Sequence, residues 1–82
     1  MAMKAVYHDD DDILYVYFSS KKVHRTRCLD DWRNVDFAED GSPIGVEFIN
    51  ASGGLNLTNV PRAEEVAAIV AAKKFDIPIL VP

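Results

Sequence analysis

The sequence predicts an α+β fold: an antiparallel β-meander of four or five strands, one C-terminal helix packed on one face, and a short terminal strand. Three observations lead to this prediction. Apolar residues alternate on both sides of a Glu-Asp-Gly loop between residues 35 and 50, a pattern typical of a β-hairpin. Residues 13–18 are rich in β-branched and aromatic side chains, which favours a strand. Apolar residues also recur at helical spacing between residues 60 and 74.

The beginning of the chain leads into the first predicted strand. Residues 3–8 form a short lead-in that ends at four consecutive aspartates, residues 9–12, where a solvated turn is expected. In residues 13–18 both alternating sets of side chains are apolar or aromatic. Such a pattern is typical of a central strand or of a strand that faces a partner, because both of its faces need cover.

Three further strands complete the predicted meander. Residues 23–29 carry several long basic side chains, which are typical of an edge strand. Residues 32–38 and 44–50 form a hairpin, with Gly41 suited to its turn and Pro43 placed just before the last strand. The sheet is therefore expected to occupy about residues 3–58.

A helix over about residues 60–74 follows a flexible connection, in which Leu55 and Leu57 either form a brief extra strand or pin the loop to the core. Thr58 or Asn59 is expected to cap the helix, with Pro61 in its first turn. Its apolar stripe should lie on the sheet and comprises Val60, Ala63, Val66, Ala67, Ile69 and Val70.

The last eight residues predict a terminal edge strand over about residues 77–81. Pro78 lacks a backbone N–H and therefore confines this strand to an edge. Together these elements predict a single domain over residues 1–82.

Composition limits the classes of function that this chain can have. With 82 residues and 49% hydrophobic content, it should form one domain with a thin core. A net charge of −4 repels nucleic-acid phosphates, and no apolar run is long enough to span a membrane. Acidic residues stand where a signal peptide would be apolar, and Cys28 is the only cysteine. A cytoplasmic protein without nucleic-acid or membrane partners is expected.

Several short sequence blocks occur in an order and at spacings that resemble a known family. The blocks are His8-Asp9 with Asp12, Ile13-Leu14-Tyr15-Val16 with Phe18, Arg25-Thr26, Val35-Asp36-Phe37, Glu39-Asp40-Gly41, Ile44-Gly45-Val46-Glu47, and Ile49 with Asn50-Ala51-Ser52. This pattern resembles a widespread prokaryotic family of short proteins of unknown function, over roughly residues 3–58. Some members are encoded beside small toxin-like proteins, so the resemblance implies a partner-binding or antitoxin-like role.

The sequence predicts no catalytic, cofactor-binding or metal-binding residue. The aspartate run lacks the glycine and glutamate of a calcium loop, and one cysteine with two histidines gives too few ligands for zinc. His24 and Cys28 would lie roughly 13 Å apart on one strand, too far for a nucleophile and its base. Cys28 is instead expected to be a small buried apolar residue, and His24 a surface residue. Gly53-Gly54 is interpreted as a hinge, not a phosphate loop.

The face of the sheet opposite the predicted helix is expected to be an interaction surface, because one helix covers only one face of a sheet. Tyrosine and tryptophan side chains are common where one end of a ring is packed and the other is wet. The alternative is that the chain termini fold under the sheet and cover this face. The exposed edge around residues 75–82 could also accept a further strand. The candidate interface residues are Tyr15, Tyr17, Trp32, Ile49 and Ile79.

These observations favour a non-catalytic protein-interaction module, either a homodimer or an antitoxin-like partner of a small basic protein. The alternative is a small-molecule-binding protein or an enzyme. In that case Tyr15, Asp36 and Glu47 would supply the convergent polar groups on one face of the sheet. If Asp36 and Glu47 were neighbours on facing strands, one of them could act as a general acid.

Overall fold

A five-stranded antiparallel sheet forms the centre of the protein, which a computed structural model describes over residues 3–80. Each strand follows the alternation of apolar and polar residues that the sequence shows. The strands are β1 Lys4–His8, β2 Ile13–Tyr17, β3 Arg25–Asp30, β4 Arg33–Phe37 and β5 Pro43–Ile49. Together with a single C-terminal helix and a short strand pair, this sheet confirms the predicted α+β class.

The strand order across the sheet is β1-β2-β5-β4-β3. Strands β3, β4 and β5 form the consecutive hairpins of a meander, and β5 then pairs with β2. The connection over residues 18–24 therefore joins β2 to β3, two strands that are separated in the sheet by β5 and β4. Strand β2, which is apolar on both faces, takes an interior position, whereas the arginine-rich β3 lies at the edge as predicted.

The other edge strand is β1, which forms within the predicted lead-in over residues 3–8. It pairs with β2 through a turn at the aspartate run, with Ala5 opposite Val16 and Tyr7 opposite Leu14. Ala5 is buried and Tyr7 packs on the core, because the partner positions in β2 are fully buried. The sequence predicts only a lead-in here, because its apolar run, Ala5-Val6-Tyr7, is three residues long and does not alternate with polar residues.

One face of the sheet carries the hydrophobic core. Helix α1, Ala63–Lys73, lies on this face and buries Val66 and Val70 against it. The stripe prediction is confirmed at these positions, and Ala63 and Ile69 pack partly on the same core. The sheet contributes the buried alternate positions of its strands to this core. These residues are Ala5, Leu14, Val16, Val35, Val46 and Phe48.

The start of the helix differs from the prediction. Arg62, not Thr58 or Asn59, occupies the N-cap position, where it has a left-handed backbone with φ 56° and makes no side-chain cap bond. Pro61 precedes the helix instead of lying in its first turn. The chain before the helix is held in a turn, since the backbone N–H of Val60 donates to the carbonyl of Leu57 at 3.1 Å. Glu64 and Glu65 in the first turn and Lys73 in the last turn interact favourably with the helix dipole.

A short parallel strand pair closes the same face of the molecule. Strand β6, Leu55–Asn56, pairs with β7, Ile79–Leu80. Leu55 is fully buried and Ile79 packs against the core, so the brief extra strand predicted at Leu55 is present. The terminal strand lies in this separate pair and not at an edge of the main sheet. Of its predicted range, residue 81 lies outside the described residues.

Candidate functional site

The side of the sheet turned away from α1 is the candidate site, and it is called the open face below. Strand register places its side chains in rows that cross the sheet. No element within residues 3–80 packs over these rows, because the helix and the β6–β7 pair both lie with the core on the other face. The central row is Val6, Tyr15, Glu47, Asn34 and Cys28, and the next row is Lys4, Tyr17, Gly45, Asp36 and Thr26.

A hydrogen-bonded cluster occupies the middle of the open face. The Tyr15 hydroxyl donates to Oδ2 of Asp36, and the Thr26 hydroxyl donates to Oδ1 of the same carboxylate at 2.5 Å. Three strands therefore contribute to one polar cluster, since Tyr15 lies on β2, Asp36 on β4 and Thr26 on β3. Both carboxylate oxygens are bonded to neutral donors.

Gly45 makes this cluster possible. It lies between Tyr17 and Asp36 in the register, so the ring of Tyr15 can pass over its backbone to reach Asp36. A Cβ at this position would lie 2.6 Å from Cε1 of Tyr15 and 2.6 Å from the backbone oxygen of Val16. The absence of a side chain at Gly45 is thus a geometric requirement of the cluster.

Burial of the Tyr15 ring raises the pKa of its hydroxyl well above the ordinary value, and the bond to Asp36 raises it further. The hydroxyl therefore keeps its proton, and remains a donor to Asp36, throughout the neutral range. This arrangement fixes the Asp36 carboxylate in position, and it does not make Tyr15 a base.

Glu47 belongs to a second, smaller polar contact. Its Oε1 accepts a hydrogen bond from the side-chain amide of Asn34 at 2.8 Å. Tyr15, Asp36 and Glu47 do share one face, as the sequence indicated. Asp36 and Glu47, however, lie opposite Gly45 and Asn34 respectively, and each accepts from its own donors.

Aromatic and aliphatic side chains surround these polar groups. The rings of Tyr15 and Tyr17 lie with centroids 4.4 Å apart at an interplanar angle of 47°, and Tyr17 is 38% exposed. Ile13 and Ile49 are opposite each other near the end of the same face and are half-buried. The open face therefore combines partly exposed rings with a carboxylate-bearing centre.

The predicted interface residues do not all lie together. Tyr15, Tyr17 and Ile49 are on the open face. Trp32 precedes β4 in the turn after β3, where it is 54% exposed and its carbonyl accepts from the N–H of Ile49 at 2.7 Å. Ile79 lies on the opposite face, packed against the core.

Trp32 lines a cleft at the end of the sheet. The cleft has a volume of about 240 Å³, and the exposed Leu80 also lines it. Arg33 forms part of its wall, and its guanidinium bonds to the Asp30 carboxylate at 2.9 Å. Asn50, Gly53, Gly54 and Asn56 line the remainder with Phe48 and Ile49.

Asp12 has a structural role that the sequence did not reveal. Its carboxylate accepts from the Tyr7 hydroxyl at 2.7 Å and from both the backbone N–H and hydroxyl of Ser52, at 2.8 and 2.6 Å. The Ser52 hydroxyl, followed by the Tyr7 hydroxyl, lowers the pKa of Asp12 below its ordinary value. These bonds join the β1–β2 turn to a short 3-10 helix over Ala51–Gly53. Asp12 has a left-handed φ of 55°, a conformation in which Asp and Asn are enriched, but the sequence alone does not distinguish it from the three aspartates before it.

The other three aspartates of the run are exposed in the turn, as predicted. In the part of the chain that the structure describes, no group of three or more His, Cys, Asp or Glu side chains is arranged to hold a metal ion. Asp12 is directed to Ser52 and Tyr7, away from any shared site with its neighbours.

The burial predicted for Cys28 is wrong, because this residue is exposed. Its register position opposite Asn34 places it on the open face of the edge strand β3, where no described element covers it. His24 is exposed as predicted and precedes that strand.

Over residues 3–80 the fold is that of a small α+β protein, in which α1 and the β6–β7 pair cover one face of a five-stranded sheet and no described element covers the other. The chain belongs to a family described as proteins of unknown function, DUF2283, which matches residues 4–52. The match spans the five strands and the first two residues of the 3-10 helix, and thus all rows of the open face.

A relative from Methanocaldococcus jannaschii, an uncharacterised protein, is 32% identical over 75 residues. The alignment covers 92% of this chain but only 64% of the length of that relative. No solved structure matches the chain. Within residues 3–80, every helix is too short or too polar to cross a membrane.

Proposed function

We propose that this protein is a non-catalytic protein-interaction module that binds another protein through its open face. The observation that carries the proposal is the one-sided cover of the sheet: α1 and the β6–β7 pair lie on one face, and Tyr17 remains 38% exposed on the other. The partner is a second copy of the chain, giving a homodimer, or a small protein toward which this one plays an antitoxin-like role.

The composition of the open face supports this proposal. Tyrosine rings contribute large apolar contact area at interfaces while their hydroxyls stay hydrogen-bonded. Asp36 and Glu47 already accept hydrogen bonds from neighbouring side chains, which lowers the cost of removing water from this face. The exposed thiol of Cys28 fits a reducing cytoplasm, and the proposal includes no nucleic-acid or membrane partner.

The test compares two exposed apolar residues. Tyr17→Ser alters the open face, whereas Val23→Ser alters a residue that is 46% exposed in the loop before β3 and serves as the matched control. Light scattering at increasing concentration detects self-association, and affinity capture from native cells followed by mass spectrometry detects another partner. We expect Tyr17→Ser to abolish the association and Val23→Ser to preserve it. A protein that stays monomeric and captures no partner, or equal losses for both variants, would contradict the proposal.

A second candidate function is small-molecule binding or catalysis at the polar groups of the open face. The observation that favours it is the Asp36 carboxylate, which Tyr15 and Thr26 hold in a fixed position. A metabolite screen by thermal shift tests it. A hit whose stabilising effect disappears in the Asp36→Asn, Glu47→Gln double variant supports this candidate, whereas a hit that the double variant retains dismisses it.

A further inference from the structure

We propose that the partner is a basic protein segment, and that one of its Lys or Arg side chains lies on the Tyr17 ring and pairs with the carboxylates of Glu47 and Asp36. This inference rests on the proposed function and names the chemistry of the partner. The three central strands carry two carboxylates at their open-face positions, and no Lys or Arg. These positions are Ile13, Tyr15, Tyr17, Asn34, Asp36, Gly45, Glu47 and Ile49.

Within residues 3–80 the two carboxylates have hydrogen bonds but no Lys or Arg ion-pair partner. Their donors are the neutral hydroxyls of Tyr15 and Thr26 and the neutral amide of Asn34. Neither carboxylate takes part in any of the ion pairs found within residues 3–80. Those pairs are Lys21–Asp40, Asp30–Arg33 and Arg62–Glu65. A carboxylate accepts about four hydrogen bonds, so both retain capacity for a charged donor.

The rings beside these carboxylates provide a surface for a cation. Tyr17 lies opposite Gly45, and its ring packs beside the Tyr15 ring that crosses Gly45 to reach Asp36 on β4. Glu47, on the same strand as Gly45, lies opposite Tyr15. A guanidinium that stacks on a tyrosine ring gains cation–π attraction, and its fork of N–H groups matches a carboxylate. The Tyr17 ring and the neighbouring carboxylates therefore both favour a cationic side chain, Arg or Lys, from the partner.

A second copy of this chain fits the same face less well. Packing two open faces together would bring Asp36 and Glu47 of both copies into one interface, and like charges in contact oppose association. Lys4 belongs to the same row as Asp36, but two strands separate them, a distance of roughly 14 Å. The net charge of −4 adds to the repulsion between copies and to the attraction of a basic partner.

The test uses the peptide acetyl-Gly-Arg-Gly-Arg-Gly-amide as a probe, with the same peptide carrying citrulline in place of arginine as the neutral control. Titration of the full chain, followed by amide chemical shifts, should show saturable shifts at Tyr17, Gly45 and Glu47 with the arginine peptide. The citrulline peptide should leave these shifts unchanged. Equal binding of both peptides, or shifts confined to the turn over residues 9–12, would overturn the inference.

Variants separate the open-face carboxylates from the net charge. Glu47→Gln retains an oxygen that can accept from Asn34, so the fold should persist, and we expect it to raise the Kd for the peptide about five- to tenfold. Asp10→Asn removes the same charge in the exposed turn and should leave the Kd unchanged. Tyr17→Leu, which keeps an apolar side chain without a ring face, should also weaken binding. An equal effect of Asp10→Asn and Glu47→Gln would overturn the inference.

Oligomeric state, measured on the same samples, distinguishes failure of this inference from failure of the proposed function. A dimer that Tyr17→Ser dissociates, with no arginine-dependent shifts, would overturn the basic partner and support the second copy. Loss of all partner capture together with the absence of self-association would contradict the proposed function itself.

Discussion

At the scale of single residues, Gly45 determines what the open face can contain. The Tyr15 ring crosses the backbone at this glycine to reach Asp36, and it leaves no room for a Cβ. A glycine in a strand usually weakens it, but here the lost side chain provides the close approach that the polar cluster needs.

Gly45→Ala should therefore destabilise the protein. The added methyl group would collide with the Tyr15 ring and with the backbone oxygen of Val16, and overpacking of this kind costs about 1–3 kcal/mol. Urea unfolding measures the change. Gly53→Ala is the control, because its Cβ would meet nothing closer than the Asn50 amide at 3.6 Å. Equal stabilities of Gly45→Ala and the wild type would contradict the steric argument.

Asp12 should be the one aspartate of its run that matters for stability. Asp12→Ala removes three hydrogen bonds from Ser52 and Tyr7 and leaves an alanine in a left-handed backbone, so the Tm should fall. Asp10→Ala, in the exposed part of the same turn, should leave the Tm unchanged. Thermal unfolding of both variants gives the comparison, and similar Tm values for the two would show that the turn is not anchored through Asp12.

At the scale of elements, Arg33 connects the sheet to the chain that leads into the helix. The residue is buried on β4, and its guanidinium donates to the carbonyls of Asn56 and Thr58 as well as to Asp30. These bonds hold the segment after β6 against the sheet. Thr58, which the sequence offers as a helix cap, is instead held in this connection through its carbonyl and its backbone N–H, the latter donating to the Asn56 side chain.

Arg33→Lys should lower the free energy of unfolding by about 1–3 kcal/mol. An ammonium group cannot reach both carbonyls and Asp30 together, so a buried charged side chain would lose part of its hydrogen bonding. Arg27→Lys is the matched control on the exposed edge strand and should be neutral. Denaturant unfolding of the two variants tests the prediction, which equal midpoints would contradict.

The end of α1 offers a stabilising substitution. Lys74 caps the helix in a left-handed conformation with φ 56°, which favours glycine. Lys74→Gly should therefore raise the stability by up to about 1 kcal/mol. Lys73→Gly, one residue earlier and still helical, should instead lower it. Thermal unfolding would contradict the assignment if Lys74→Gly were the less stable of the two.

At the scale of the whole molecule, hydrogen bonds to side chains determine how stability changes with pH. Those from Ser52 and Arg33 lower the pKa values of Asp12 and Asp30, respectively. Because the folded-state pKa lies below the unfolded value, this stability is present above about pH 4 and is lost as the pH falls through the folded pKa. Tyr15 affects stability at alkaline pH, because burial raises the pKa of its hydroxyl in the folded protein above the unfolded value.

The alkaline limb of the pH profile should depend on Tyr15. Its contribution is complete below the ordinary tyrosine pKa of 10.0 and is lost as the pH rises above that value. The wild type should lose stability between pH 9 and about pH 11.5 more steeply than Tyr15→Phe, which has no hydroxyl to titrate at this position. Denaturant midpoints across this range provide the measurement. Identical slopes would show that the Tyr15 hydroxyl is not held by burial and by Asp36.

The sequence by itself determined the strands whose alternation is strong, the helix whose stripe includes Val66 and Val70, and the alternation that places Tyr15 and Tyr17 on one face of the sheet. These features follow from local periodicity, which depends only on neighbouring residues. The tertiary structure alone decided that β5 pairs with β2, that the weak segment before the aspartates becomes β1, and that Cys28 is exposed. It also decided that Asp12 binds Ser52 and that Gly45 allows Tyr15 to reach Asp36. Such contacts join residues far apart in the chain, and they depend on strand order and register, which local patterns do not specify.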